Sequence, residues 1–73
     1  MSPKLPILTS KEVIRLLEKS GFVLVSHKGS HAKYRRADGR MTIVPVHAGE
    51  EIGPGLLLQI LNDAGIDPAS LRR

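Results

Sequence analysis

The segment from Gly29 to Arg35, Gly-Ser-His-Ala-Lys-Tyr-Arg, concentrates the groups in this sequence that could do chemistry. An imidazole titrates near neutral pH, so His31 can give or take a proton under physiological conditions. Lys33 and Arg35 follow it at two-residue intervals. In a β-strand, side chains alternate between the two faces. His31, Lys33 and Arg35 therefore share one face, and Ala32, Tyr34 and Arg36 share the other. Ala32 and Tyr34 are the better core pair, which leaves one imidazole in line with two cations on the open face. That set suits RNA, which carries its own nucleophile in the 2′-hydroxyl. Cleavage needs a base for that proton, an acid for the leaving oxygen and positive charge on the phosphorane. An ordinary surface histidine beside a turn fits the same residue, so His31 alone does not decide between the two.

Charge distribution adds a second line of argument. The 73-residue chain has a net charge of +4. Five basic residues (Lys28, Lys33, Arg35, Arg36 and Arg40) and one acid, Asp38, lie between Lys28 and Arg40, while the remainder holds six of each sign. The excess positive charge thus occupies thirteen residues. This is expected of a patch facing a polyanion, and equally of a hairpin kept soluble by charge. His27 and His31 flank the Lys28-Gly29-Ser30 turn, and His47 stands further on. Three histidines could hold zinc, but no carboxylate or thiolate is spaced to help them, so no metal and no cofactor is expected. Ser30 has no acid–base triad around it and reads as a turn residue whose hydroxyl contacts phosphate or backbone.

These residues must be positioned by a small number of elements. Thr9 and Glu12 form an S/T-x-x-E capping box, with Leu8 and Val13 placed for a hydrophobic staple. Val13, Ile14, Leu16 and Leu17 make an apolar stripe at helical spacing, and Gly21 supplies a left-handed stop. Phe22 to Ser26 reads as a strand, Lys28 to Ser30 as a turn and His31 to Arg36 as a second strand. Ala37-Asp38-Gly39 is a hairpin turn, and Arg40 to Val46 is a third strand. His47 to Gly53 is a loop. Pro54 opens a second helix whose Leu56, Leu57, Ile60, Leu61 and Ala64 line one face. Gly65 ends it, Ile66 folds back on its last turn, and Asp67-Pro68 opens one short further turn. The expected class is α+β in the order α-β-β-β-α: a three-stranded antiparallel sheet with both helices packed on one face and the other face left to water or a ligand.

The motifs, taken in order, resemble those of the HicA (YcfA-like) toxin family. Gly29-Ser30-His31-Ala32-Lys33-Tyr34 resembles the family's GSHxxY motif, and Gly21-Phe22 its "GF". Thr42-Ile43-Val44-Pro45-Val46-His47 is similar to its "t-v-P-x-H" strand. Leu5-Pro6, Gly49-Glu50-Glu51-Ile52, the leucine-rich second helix and Ala64-Gly65-Ile66 fit as well. The resemblance covers nearly the whole chain, and no position of GSHxxY is substituted. It implies a fold similar to double-stranded-RNA-binding domains and a ribosome-independent mRNA interferase with His31 as catalytic residue. It also implies a HicB antitoxin partner, encoded alongside, that covers the active site. The expected substrate contacts are Lys28, Gly29, Ser30, Lys33, Tyr34, Arg35 and His47. A non-catalytic RNA-binding module of the same fold is the alternative, although binding duplex RNA by shape alone needs a reach of about 16 base pairs. A pure protein-interaction domain is a third.

Length and composition bound these readings. A chain of 73 residues is expected to form one domain, residues 1–73, with a limited core. There is no cysteine, so disulfides and thiolate metal sites are excluded. Met1 to Leu8 has no apolar run suited to a secretion signal, and no stretch approaches the ~20 apolar residues of a membrane span. A cytoplasmic protein without a membrane partner is expected. One Phe and one Tyr leave little surface for base stacking.

Overall fold

The computed structural model describes residues 7–46 and 51–71. The first helix, α1, spans Ser10–Lys19 and begins at the expected capping box. Thr9 Oγ1 accepts the Glu12 N–H, and the Glu12 carboxylate accepts the Thr9 N–H at 2.9 Å. At the other end Gly21, at φ 94°, lets the Gly21 and Phe22 N–H groups turn back onto the carbonyls of Glu18 and Leu17. This left-handed reversal drops Phe22 into the core.

Three strands follow: β2, Val23–Lys28; β3, His31–Arg35; and β4, Met41–Pro45. They form an antiparallel sheet in the order β2-β3-β4. The sheet and two helices agree with the α+β reading. The first strand runs two residues beyond the expected end, because the hairpin closes with only Gly29 and Ser30 at its tip. Gly29 at φ 56° occupies the first central position, as a tight hairpin turn requires. The Asp38-Gly39 turn joins β3 to β4 as expected.

The second helix, α2, spans Pro54–Ala64, with Pro54 in its first turn and Gly65 in the left-handed region behind it. One 3-10 turn, Pro68–Leu71, closes the described chain. The core joins Val13, Leu17 and Phe22 with Ala32, Tyr34 and Val44 of the sheet and Ile52, Leu57, Ile60, Leu61 and Ala64. Both helices thus pack on the sheet face that carries Ala32 and Tyr34. Ser10 adds a polar tie: it is buried, and its hydroxyl donates to the Pro45 carbonyl at 2.6 Å. Among the described residues no helix is long and apolar enough to cross a membrane.

Two expectations need correction. The loop expected over residues 47–53 ends in a two-residue strand, β5, Glu51–Ile52, which pairs with β1, Leu8–Thr9. The cause is burial: Ile52 is 2% exposed, and a backbone taken out of water needs hydrogen-bond partners. Leu56 does not join the inner face of α2 and is 40% exposed. At 100° per residue it lies about 90° from the centre of the arc holding Leu57, Ile60, Leu61 and Ala64.

The β3–β4 turn is held electrostatically. Asp38 accepts from Arg36 Nη2 at 2.7 Å and from the Arg40 N–H at 3.1 Å. The Arg36 hydrogen bond, then that of the Arg40 backbone, lowers the Asp38 pKa from its usual 3.8 to about 2. A depressed carboxylate pKa stabilises the fold above the unfolded value and loses that effect as pH falls through the folded one. The wild-type melting temperature should therefore fall between pH 4 and pH 2 more steeply than that of Asp38→Asn. Thermal melts across that range check this, and identical slopes would contradict it.

Candidate active site

The site begins with the parity of β3. Ala32 and Tyr34 are 2% and 5% exposed, and His31 and Arg35 are exposed on the opposite face with half-buried Lys33 between them. This is the expected alternation. Strand register then supplies the neighbours, since directly paired residues share a face. His31 lies between Lys28 of β2 and Pro45 of β4, Lys33 between Ser26 and Ile43, and Arg35 between Val23 and Met41.

Ser26, Lys28, His31, Lys33 and Ile43 line one shallow cleft of about 170 Å³. An imidazole, two ammonium groups and a hydroxyl therefore converge on it, and none of the five lining side chains is a carboxylate. The two-residue turn is what sets Lys28 opposite His31. Gly29 and Ser30 contribute through the backbone: Gly29 takes the positive φ, and the Ser30 carbonyl accepts the Val46 N–H. Ser26 is the cleft residue that the expected contacts leave out, although plain alternation from Lys28 puts it on the same face. The β2–β3 register shift lies beyond it, between Leu24 and Ser26, and alters only the pairing of the residues before Ser26.

Other expected site residues lie elsewhere. Arg35, four residues along the strand, is about 13 Å from His31. Tyr34 is a core residue; burial, with the nearby Glu18 charge, raises its phenol pKa. His27 is paired with Ala32, so it points to the face opposite His31. His47 lies outside the described residues.

The basic cluster divides into two sets. Arg36 lies past the end of β3, with its guanidinium 5.1 Å from the Phe22 ring centroid and donating to the Ser20 carbonyl and Asp38. Arg40 Nε is 3.6 Å from the same Asp38. These two arginines hold the turn. Lys28, Lys33 and Arg35 make no ion pair among the described residues and stand on the open face. Such a face offers cations to phosphate at little desolvation cost.

The two sides of β3 should respond differently to truncation. His31→Ala should change the unfolding free energy by no more than about 0.5 kcal/mol, as at an ordinary exposed position. Tyr34→Ala should lose about 3–5 kcal/mol. Urea denaturation of both variants checks the assignment, and a strongly destabilised His31→Ala would place His31 on the packed side.

The model of a protein family described as HicA toxin of bacterial toxin-antitoxin matches residues 10–66. The matched segment runs from the start of α1 past the end of α2 and contains every residue of the cleft. Comparison with curated proteins gives no match.

Proposed function

Because the chain belongs to the HicA toxin family of bacterial toxin–antitoxin systems, we propose that it is an endoribonuclease that cuts mRNA without the ribosome, using His31 as its catalytic side chain. The observation that carries this reading is the convergence of His31, Lys28 and Lys33 on one open cleft, with β3 held in place by the burial of Ala32 and Tyr34.

The chemistry follows from what the cleft offers. The RNA 2′-hydroxyl attacks the adjacent phosphate, forming a new O–P bond while the bond to the leaving 5′-oxygen breaks. His31 moves one of the two protons in this step, either as the base that takes it from the 2′-hydroxyl or as the acid that gives one to the leaving oxygen, and water exchanges the other. Lys28 and Lys33 hold the phosphate and offset the charge that builds on the phosphorane. Lys33 is two residues from His31 on the same face, about 7 Å along the strand, a reach suited to one phosphodiester. Arg35, further along, contacts a neighbouring phosphate. Among the described residues no carboxylate lines the cleft, so those residues do not supply the oxygen ligands that a hard divalent cation takes. The proposed reaction therefore runs on side chains and water.

An RNase loose in its own cell needs a restraint, and the family supplies one in principle as the antitoxin of the pair. We place a HicB-like antitoxin over the cationic face, where acidic groups would compete with phosphate and cover His31. Charge matching there speeds encounter more than it deepens affinity, so lasting inhibition also requires apolar contact.

Two measurements test the reading. His31→Ala should reduce cleavage of mRNA by about a hundredfold or more, and abolish growth arrest on expression, while RNA binding persists and EDTA leaves the wild-type rate unchanged. A folded His31→Ala protein that still cuts at the wild-type rate would refute it. Wild-type protein that binds RNA without cutting it would favour the non-catalytic RNA-binding module. Lys33→Ala should weaken binding of all RNA sequences alike and reduce the slope of log affinity against log salt by about 1. An unchanged slope would remove Lys33 from the phosphate contacts.

A further inference from the structure

A second depression, a groove of about 350 Å³, lies between the free side of β4 and α2. Lys33, Met41 and Ile43 form its sheet wall, and Leu56, Gln59 and Asp63 its helix wall. Three of these are apolar side chains left in water: Met41 is 47% exposed, Ile43 50% and Leu56 40%. Among the described residues β4 pairs with β3 only, so its other side is a strand edge without a partner. Thr42, also on the groove, has a buried Oγ1 with no hydrogen-bond partner. Lys33 and Ile43 line both this groove and the cleft that holds His31, so the two depressions adjoin.

We propose that this groove is the anchoring surface for the antitoxin, and that it takes an extended segment of that protein bearing apolar side chains and carboxylates. The proposal rests on the reading of the chain as a toxin held by a protein partner. The segment is extended because the groove follows a strand edge, where a chain can pair through its backbone and place alternate side chains into the walls. It is apolar where it meets Met41, Ile43 and Leu56, since an apolar cluster left open at a surface marks a protein contact. It is acidic where it passes Lys33, with Arg35 beside Met41 across the strand pair and Lys28 further into the cleft. A second copy of this chain would set like charge against like, because each carries +4. An RNA backbone has no complement for the wall formed by Met41 and Leu56. Anchoring and inhibition are then separate: the groove supplies affinity, and the part of the partner beyond Ile43 and Lys33 covers His31.

Met41→Ser with Leu56→Ser tests this, since neither residue lines the His31 cleft. Leu56→Gln alone, on the solvent side of α2, serves if the double variant does not fold by circular dichroism. The probe is the purified antitoxin encoded in the adjacent reading frame, with binding measured by calorimetry, cleavage by an RNA assay and the mass of the free toxin by sedimentation. The antitoxin Kd should rise about tenfold or more. The free variant should keep its cleavage rate within about twofold, as expected of independent sites. Antitoxin at a concentration that silences the wild type should leave the variant cutting. An unchanged Kd, or no binding of this antitoxin to the wild type, would overturn the proposal. So would a cleavage rate that falls with the Kd change, which would give the groove to RNA, or a toxin dimer abolished by the substitutions, which would give it to a second copy. Failure of the wild type to cut RNA would refute the enzymatic reading, while the Kd comparison would still decide the groove.

Discussion

Burial of Ala32 and Tyr34 against the helices is the constraint on which the rest of the arrangement depends. A strand has a period of two, so fixing these two side chains inward fixes His31, Lys33 and Arg35 outward. A slip of one residue would exchange the sets and set an imidazole and two cations against a hydrocarbon layer. The tyrosine holds the register firmly because it brings a large apolar area to the core. The family motif thus has two physical halves in this chain: a turn and a histidine that face outward, and a tyrosine that prevents the strand from moving.

The cations are sorted by one acid. Asp38 engages Arg36 and Arg40 at the β3–β4 turn, and Arg36 also covers the Phe22 ring. Those two charges close the hairpin and cap the core, leaving Lys28, Lys33 and Arg35 for an external anion. Net charge in the sequence describes the cluster as one patch. In the fold it is an ion-paired set at the turn beside a set unpaired among the described residues, and only the latter shares a face with His31.

Much of this was legible in the sequence because the signals were local. The capping box at Thr9 and Glu12, the glycines behind each helix and the Asp38-Gly39 turn each follow from one or two residues. The parity of β3 follows from which of its residues could be core. The rest depended on distant partners. Glu51–Ile52 is too short for any periodicity to show, and it became a strand because Ile52 needed burial and Leu8 lay alongside. Ser26 shares the face of Lys28 by plain alternation, but a strand expected to end at Ser26 does not link the two, and it is the short turn that extends β2 to Lys28. Leu56 fitted a helical stripe by spacing, yet the sheet covers a narrower arc of α2 than the stripe supplied. Arg36 left the strand because β3 ended one residue early, where Ser20, Phe22 and Asp38 together accommodated its guanidinium.

The central claim is that the open face of β3 is where RNA meets His31. The most direct measurement is an NMR titration with an oligoribonucleotide methylated at every 2′-oxygen, which can bind but cannot supply the nucleophile. The account predicts chemical-shift changes centred on Lys28, His31 and Lys33, with Tyr34, Leu57 and Leu61 unmoved. Shifts centred on α1 and α2, with the His31 resonances unaffected at saturation, would contradict it.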